Sequence, residues 1–147
     1  MIEFDPLHYP YASTRNVVYA KNGMCCAGNP SAASAGLQTL LKGGNAIDAA
    51  VAQPVVEPSG NGLGCECFAI VWYKGKMYGI NGSGPAPRAA SIDALKARGF
   101  DKIPMLGVEP IDVPGAVATW CALHEKFGSL DLETVAEPAA RYAEDGY

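Results

Sequence analysis

Histidine is scarce in this 147-residue chain: only His8 and His124 are present, and none of its five cysteines stands in a CxxC pair. Zinc sites draw on CxxC-type spacings with histidine partners, so a metal site is not expected. Basic charge is also short. Eleven Lys and Arg against fifteen Asp and Glu leave a net charge of −4 with no basic block, which argues against nucleic acid as a partner. Long apolar runs are missing too, the longest lying around residues 67 to 73, far below the roughly 20 residues of a membrane span. Near the N-terminus, Glu3, Asp5 and Pro6 stand where a secretory leader would carry a basic start and an apolar run. A reducing, cytoplasmic setting is therefore expected, with Cys25, Cys26, Cys65, Cys67 and Cys121 as free, mostly buried thiols.

What is plentiful is apolar side chain, at 49%, together with 17 glycines and 11 prolines. The first is enough for a core and the second implies many turns and close backbone approaches. The length fits one domain.

Residues 1–16 read as an irregular N-terminal arm, and 17–147 as one α/β (α+β) unit. Val17 to Tyr19 and Met24 to Ala27 flank Asn22-Gly23, a strong hairpin signal, and predict a first strand pair. Asn29 and Pro30 predict a helix start. The helix would bury Ala33, Leu37, Leu40 and Leu41 and stop at Gly43-Gly44. Asn45 can cap a second, alanine-rich helix, with Asp48 adding negative charge in its first turn, up to Pro54. The loop from Pro58 to Cys65 carries GxGxG. A dinucleotide fingerprint needs a strand before and a helix after, whereas a strand follows here, so the loop reads as a tight turn feeding it.

That strand, residues 67 to 73, is apolar at nearly every position, the mark of cover on both faces. Lys74-Gly75 turns it into a second strand from Lys76, followed by the extended loop Asn81 to Pro87. Ser91 caps a short helix that stops at Gly99. Pro114 opens another, lined by Ala116, Trp120, Leu123 and Phe127, with His124 one residue off the stripe. A last helix from Leu132 to Glu144 is expected to break at Pro138.

These residues alone do not reach a reaction. There is no GxSxG elbow, and neither Glu57 with Glu66 nor Asp131 with Glu133 stands out from solvated surface charge.

The string from Gly23 to Pro87 carries more, above all KGGNAIDAAVA (Lys42 to Ala52) and GLGCECF (Gly62 to Phe68). It resembles the N-terminal part of the large chain of the gamma-glutamyltransferase (gamma-glutamyltranspeptidase) family. VPGAVATWCALHEKFGSL and EPAARYAEDGY continue the likeness to the end. The resemblance implies part of a four-layer αββα sandwich of the N-terminal-nucleophile hydrolase type, made as a self-cleaving precursor. It implies hydrolysis or transfer of gamma-glutamyl or related acyl amides such as glutathione, with no metal or organic cofactor.

The family's nucleophile is the threonine that begins the small chain, with its own amine as base. Thr14, Thr39, Thr119 and Thr134 lack the motif around it, and the family's oxyanion-hole glycines also belong to the small chain. The resemblance therefore implies a companion C-terminal chain carrying the Thr, and no turnover by this polypeptide alone. It also implies a substrate loop whose arginine holds the substrate carboxylate.

Ser83 occupies that arginine's position here. NGSG, Asn81 to Gly84, resembles the cephalosporin-acylase-like branch, whose arginine position is Pro85. Ser83, Gly84 and Arg88, the nearest guanidinium, are thus the candidate substrate-binding residues, with no catalytic residue assigned. Cys65 and Glu66 depart from the family's glycines, so either the backbone there needs no positive φ or the loop has drifted. The competing readings are an inactive remnant acting as an interaction partner, and a thiol or metal protein built on Cys25, Cys26, Cys65 and Cys67. As an isolated piece the chain would leave strand edges and an apolar sheet face bare, and is expected to self-associate.

Overall fold

The computed structural model describes residues 17–54 and 60–146. The arm over residues 1–16, the start of the glycine-rich loop with Glu57, and Tyr147 lie outside them. The described elements are α1 (Pro30–Leu41), α2 (Ala46–Ala52), β1 (Cys67–Tyr73), β2 (Lys76–Gly82), α3 (Ile92–Ala97), α4 (Ala116–Phe127) and α5 (Leu132–Asp145).

Local chemistry accounts for most of the boundaries. The Asn29 side chain accepts from Ser31 N–H at 2.7 Å, and Pro30 follows where no N–H is needed. Gly43, at φ +93, ends α1. Asn45 and Asp48 close a reciprocal capping box on α2. Ser91 caps α3 and Gly99 ends it at φ +85. Gly115, not Pro114, is the N-cap of α4, and Asp131 caps α5.

Two elements depart from the pattern of the sequence. In α1 the buried face is Ala32, Ala35, Gly36 and Thr39, while Leu37 and Leu41 are exposed. The helix turns its small residues inward, where they allow close approach to α2, and Gly36 lies beneath Cys25 and Gln53. In α5 the chain stays helical through Pro138, which is fully buried beside Val135 and Ala139. Packing outweighs the one backbone hydrogen bond that proline removes.

The sheet is the antiparallel pair β1-β2, in register from Cys67↔Gly82 to Tyr73↔Lys76. Its turn places Lys74 at φ 49 and Gly75 at φ 78, the left-handed pair that a two-residue hairpin of native twist requires. One face, with Ala69, Val71, Tyr73, Tyr78 and Ile80, packs on Leu123 and Phe127 of α4. Phe127 meets Tyr78 edge-on at 5.0 Å between centroids. A second cluster joins Val51, Ala52, Ala116, Trp120 and Val135, tying α2, α4 and α5 together.

Three further expectations are corrected. The predicted strands around Asn22-Gly23 do not form: residues 17–29 hold no strand, and Val17, Val18 and Tyr19 are exposed. A hairpin is marginal without a face to bury, and nothing among the described residues covers this one. β1 is not covered on both faces, since Phe68, Ile70 and Trp72 on its far side are 63%, 80% and 71% exposed. The cysteines are free but not buried: Cys26, Cys65 and Cys121 are exposed, Cys25 and Cys67 half-buried.

Candidate functional site

The loop leaving β2 carries the candidate binding residues. Asn81 turns back on itself, its Oδ1 accepting from Ser83 N–H at 3.0 Å, which leaves the Ser83 side chain exposed. Gly84 is half-buried against Val113. The Pro85 carbonyl accepts from Val113 N–H at 3.0 Å, and Ala90 N–H closes a turn on the Pro87 carbonyl at 2.8 Å. Arg88 sits exposed in that turn. Ser83 and Gly84 are therefore neighbours at the strand end, and Arg88 lies farther on, within the Pro87–Ala90 turn.

Gly84 also borders a cavity of about 550 Å³ between this loop, α3 and residues 103–112, shared with Pro87, Leu95, Arg98 and Glu109. Neither Ser83 nor Arg88 lines it. Its guanidinium is Arg98, ion-paired with Glu109. The backbone N–H of Glu109 and then Arg98 hold that carboxyl below its ordinary range. Sequence reasoning missed Arg98; the contact spans a loop, and no local signal announces it.

The glycine-rich loop ends beside the same region. Asn61 Oδ1 accepts from Gly62 N–H at 2.9 Å, and Cys65 N–H donates to the Gly62 carbonyl at 3.2 Å. The Cys65 carbonyl then accepts from Ala116 N–H, at the start of α4, at 2.9 Å. Among the described residues Lys74 is the single non-glycine at positive φ, so Cys65 and Glu66 need no glycine backbone. The loop is a turn feeding a strand, as its sequence order implies.

A second polar cluster lies at the other end of α4. Asp48 is fully buried and accepts from Asn45 N–H at 2.9 Å, from Ser129 N–H at 3.1 Å and from the Ser129 hydroxyl at 2.6 Å. Burial pushes its carboxyl up, but the bonds from Ser129, Asn45 and Leu130 outweigh this and hold it below the usual aspartate range. His124 Nε2 donates to the Leu130 carbonyl at 2.8 Å and stands 3.8 Å from Asp48.

Serine, histidine and aspartate thus meet, but not as a relay: the hydroxyl donates to the carboxylate, and the imidazole faces a carbonyl. The cluster is a clamp joining α2 to the α4–α5 turn. The described threonines are equally committed. Thr39 and Thr119 donate to carbonyls four residues back, and Thr134 to Asp131. No described group of His, Cys, Asp and Glu has the arrangement of a metal site.

Known proteins place this arrangement. The gamma-glutamyltranspeptidase family profile matches residues 32–147. The glutathione hydrolase-like YwrD proenzyme of Bacillus subtilis (strain 168) is 40% identical over 125 residues, 79% of this chain and 23% of that protein. The acylase ACY 1 proenzyme of Pseudomonas sp. (strain V22) is 36% identical over 139 residues, 85% of this chain and 25% of that protein.

Among solved structures, the cephalosporin acylase from Bacillus halodurans superposes with a TM-score of 0.85 at 51% identity, covering 99% of this chain and 28% of that one. The Helicobacter pylori gamma-glutamyltranspeptidase does so at 0.78 and 31%, covering 90% and 40%. The chain spans about a quarter of the length of these curated relatives. Its helices and hairpin are part of the αββα sandwich of the N-terminal-nucleophile hydrolases. With the profile covering all but the first 31 residues, this chain belongs to the gamma-glutamyltranspeptidase family.

Proposed function

We propose that this chain is the N-terminal segment of the large chain of an enzyme that hydrolyses or transfers acyl amides, completed by a companion chain whose N-terminal threonine is the nucleophile. The observation that carries the reading is the bare apolar face of β1-β2 in a chain of this family: Phe68, Ile70, Trp72 and Met77 stand exposed on one side of a strand pair whose other side is packed. Such a face calls for a second sheet. The engaged hydroxyls of Thr39, Thr119 and Thr134 fit a division of labour in which this segment holds substrate and the companion does the chemistry.

On this reading Ser83, Gly84 and Arg88 contact the substrate. The acylase relative is the more identical of the two superposed structures, which sets a related acyl group, such as glutaryl, beside gamma-glutamyl as a candidate substrate.

The test is intact-mass analysis of the native assembly captured through this chain, followed by assay on gamma-glutamyl and glutaryl p-nitroanilides. A companion beginning with Thr, or one longer polypeptide containing this segment, together with anilide release supports the proposal. A lone 15.3 kDa species without turnover overturns it and leaves an inactive remnant that serves as an interaction partner.

A further inference from the structure

The segment Val113-Pro114-Gly115-Ala116 touches both glycine-rich loops through backbone alone. Its Val113 N–H donates to the Pro85 carbonyl at 3.0 Å, and its Ala116 N–H donates to the Cys65 carbonyl at 2.9 Å. One short stretch therefore spans from the loop before β1 to the loop after β2.

The approach is closer than side chains allow. A Cβ at Gly84 would overlap the Val113 carbonyl, and a Cβ at Gly115 would overlap the Gly82 carbonyl and lie 2.9 Å from Gly84 nitrogen. In both cases the obstacle is backbone, which cannot rotate aside as a side chain can. Thr119, one turn into α4 and buried, fixes the bracket from below. Its hydroxyl donates to the Gly115 carbonyl at 2.9 Å, and its side chain fills the space where a Cβ at Gly82 would go.

We propose that Gly84 and Gly115 are positioning residues for the substrate loop: their missing side chains let residues 113–116 clasp the β2 end, which sets where Ser83 and the Gly84 backbone present themselves to substrate. The proposal rests on the functional reading above for the identity of the ligand, but not for the clasp itself. Because Pro85 has no N–H and its carbonyl is occupied by Val113, the loop cannot slide along the segment without breaking that bond. A shift of even one ångström at the loop would carry its hydrogen-bonding groups out of range of substrate and weaken binding.

The experiment uses the assembly recovered through this chain, with Gly84→Ala as the test and Gly64→Ala as the control, since a Cβ at Gly64 meets nothing within 4 Å among the described residues. The first measurement needs no variant: amide hydrogen exchange of the unaltered protein shows Val113 and Ala116 protected. Free exchange at Val113 overturns the proposal.

In Gly84→Ala, Val113 exchange rises at least tenfold and Gly64→Ala leaves it unchanged. With whichever p-nitroanilide the unaltered enzyme turns over, Gly84→Ala raises KM about tenfold with kcat within twofold. Unchanged Val113 exchange, or a fall in kcat at constant KM, overturns the positioning role. Should Gly84→Ala not fold, Thr119→Val and Thr119→Ser decide. The valine loosens Val113 and raises KM severalfold, the serine restores both, and equal behaviour of the two overturns the proposal. An unaltered assembly that cleaves neither anilide sinks the substrate reading, while the exchange results still decide the clasp.

Discussion

Asp48 shows how far a single residue can depart from its appearance in the sequence. Three positions after Asn45 it reads as a first-turn carboxylate, favourable to a helix N-terminus and otherwise ordinary. The capping box is indeed local and legible. Its burial is not, because the groups that satisfy it, the Ser129 N–H and hydroxyl, lie 81 residues away. The clamp has a pH signature. Asp48 holds its proton more weakly in the folded chain than in the unfolded one, so it contributes stability that is fully present above its ordinary pKa of 3.8 and is lost as pH falls through the lower folded value. Thermal melts of the assembly are expected to be flat from neutral pH down to about 5 and to fall steeply below about 4. Asp48→Asn leaves a buried amide facing donors with one acceptor too few and costs about 3 kcal/mol at neutral pH. It also flattens, without abolishing, the acid-side fall, because Glu109, Asp131 and Glu137 are held low as well. An unchanged melting midpoint in Asp48→Asn would show that the clamp carries no stability.

Among the candidate binding residues, the sequence placed Ser83 and Gly84 at a loop without showing what holds that loop. Its anchor, Val113, comes from a separate part of the chain. Arg88 looked close by counting residues, and it sits exposed within the Pro87–Ala90 turn that follows the loop.

At the scale of elements, helices were legible because their ends are written locally. Asn29-Pro30, Asn45 with Asp48, Ser91 and Gly99 each act within a turn of where they stand. The strands divide differently. Asn22-Gly23 is the better hairpin sequence, but Lys74-Gly75 makes the hairpin, because Val71, Tyr73 and Tyr78 have Leu123 and Phe127 to pack against and Val17 to Tyr19 have nothing comparable. Turn chemistry refines a hairpin that burial has already selected. It follows that the existing turn can be improved: Lys74 carries a side chain at φ 49, where asparagine is better tolerated. Lys74→Asn is expected to stabilise the hairpin by about 0.5 kcal/mol, after losing a weak cation–π contact with Tyr73. A higher melting midpoint checks this, and a lower one would mean that the cation–π contact outweighs the turn.

In α2 the same local logic has a tertiary extension. Asn45 caps the helix and also donates from Nδ2 to the Phe127 carbonyl at 2.6 Å, the end of α4. Asn45→Ala loses both functions and should cost about 2 kcal/mol, more than the roughly 1 kcal/mol of a cap alone. Asn45→Asp keeps the cap acceptor but lacks the donor, so its cost against the unaltered protein measures the tie to α4, and the difference between the two variants measures the cap.

For the whole molecule, the decisive feature is the asymmetry of the hairpin. Continuous apolar character in β1 led to the expectation of two covered faces, and among the described residues only one is covered. The other face presents Phe68, Ile70, Trp72 and Met77. Burying a side chain of this size is favourable by about 1.5 to 3 kcal/mol, so four together form a strong drive to associate, and among the described residues β1 is paired on one edge, with β2. The isolated chain is therefore expected to oligomerise, read as a concentration-dependent mass by light scattering. Ile70→Lys and Trp72→Lys should lower that mass and leave helix content unchanged, since neither side chain contributes to the packed clusters. In the full assembly the same substitutions should act in the opposite sense, placing a charge in a sheet-to-sheet interface and blocking recovery of the companion. A charge that neither disperses the isolated chain nor disturbs the assembly would show that this face is not where the missing layer sits.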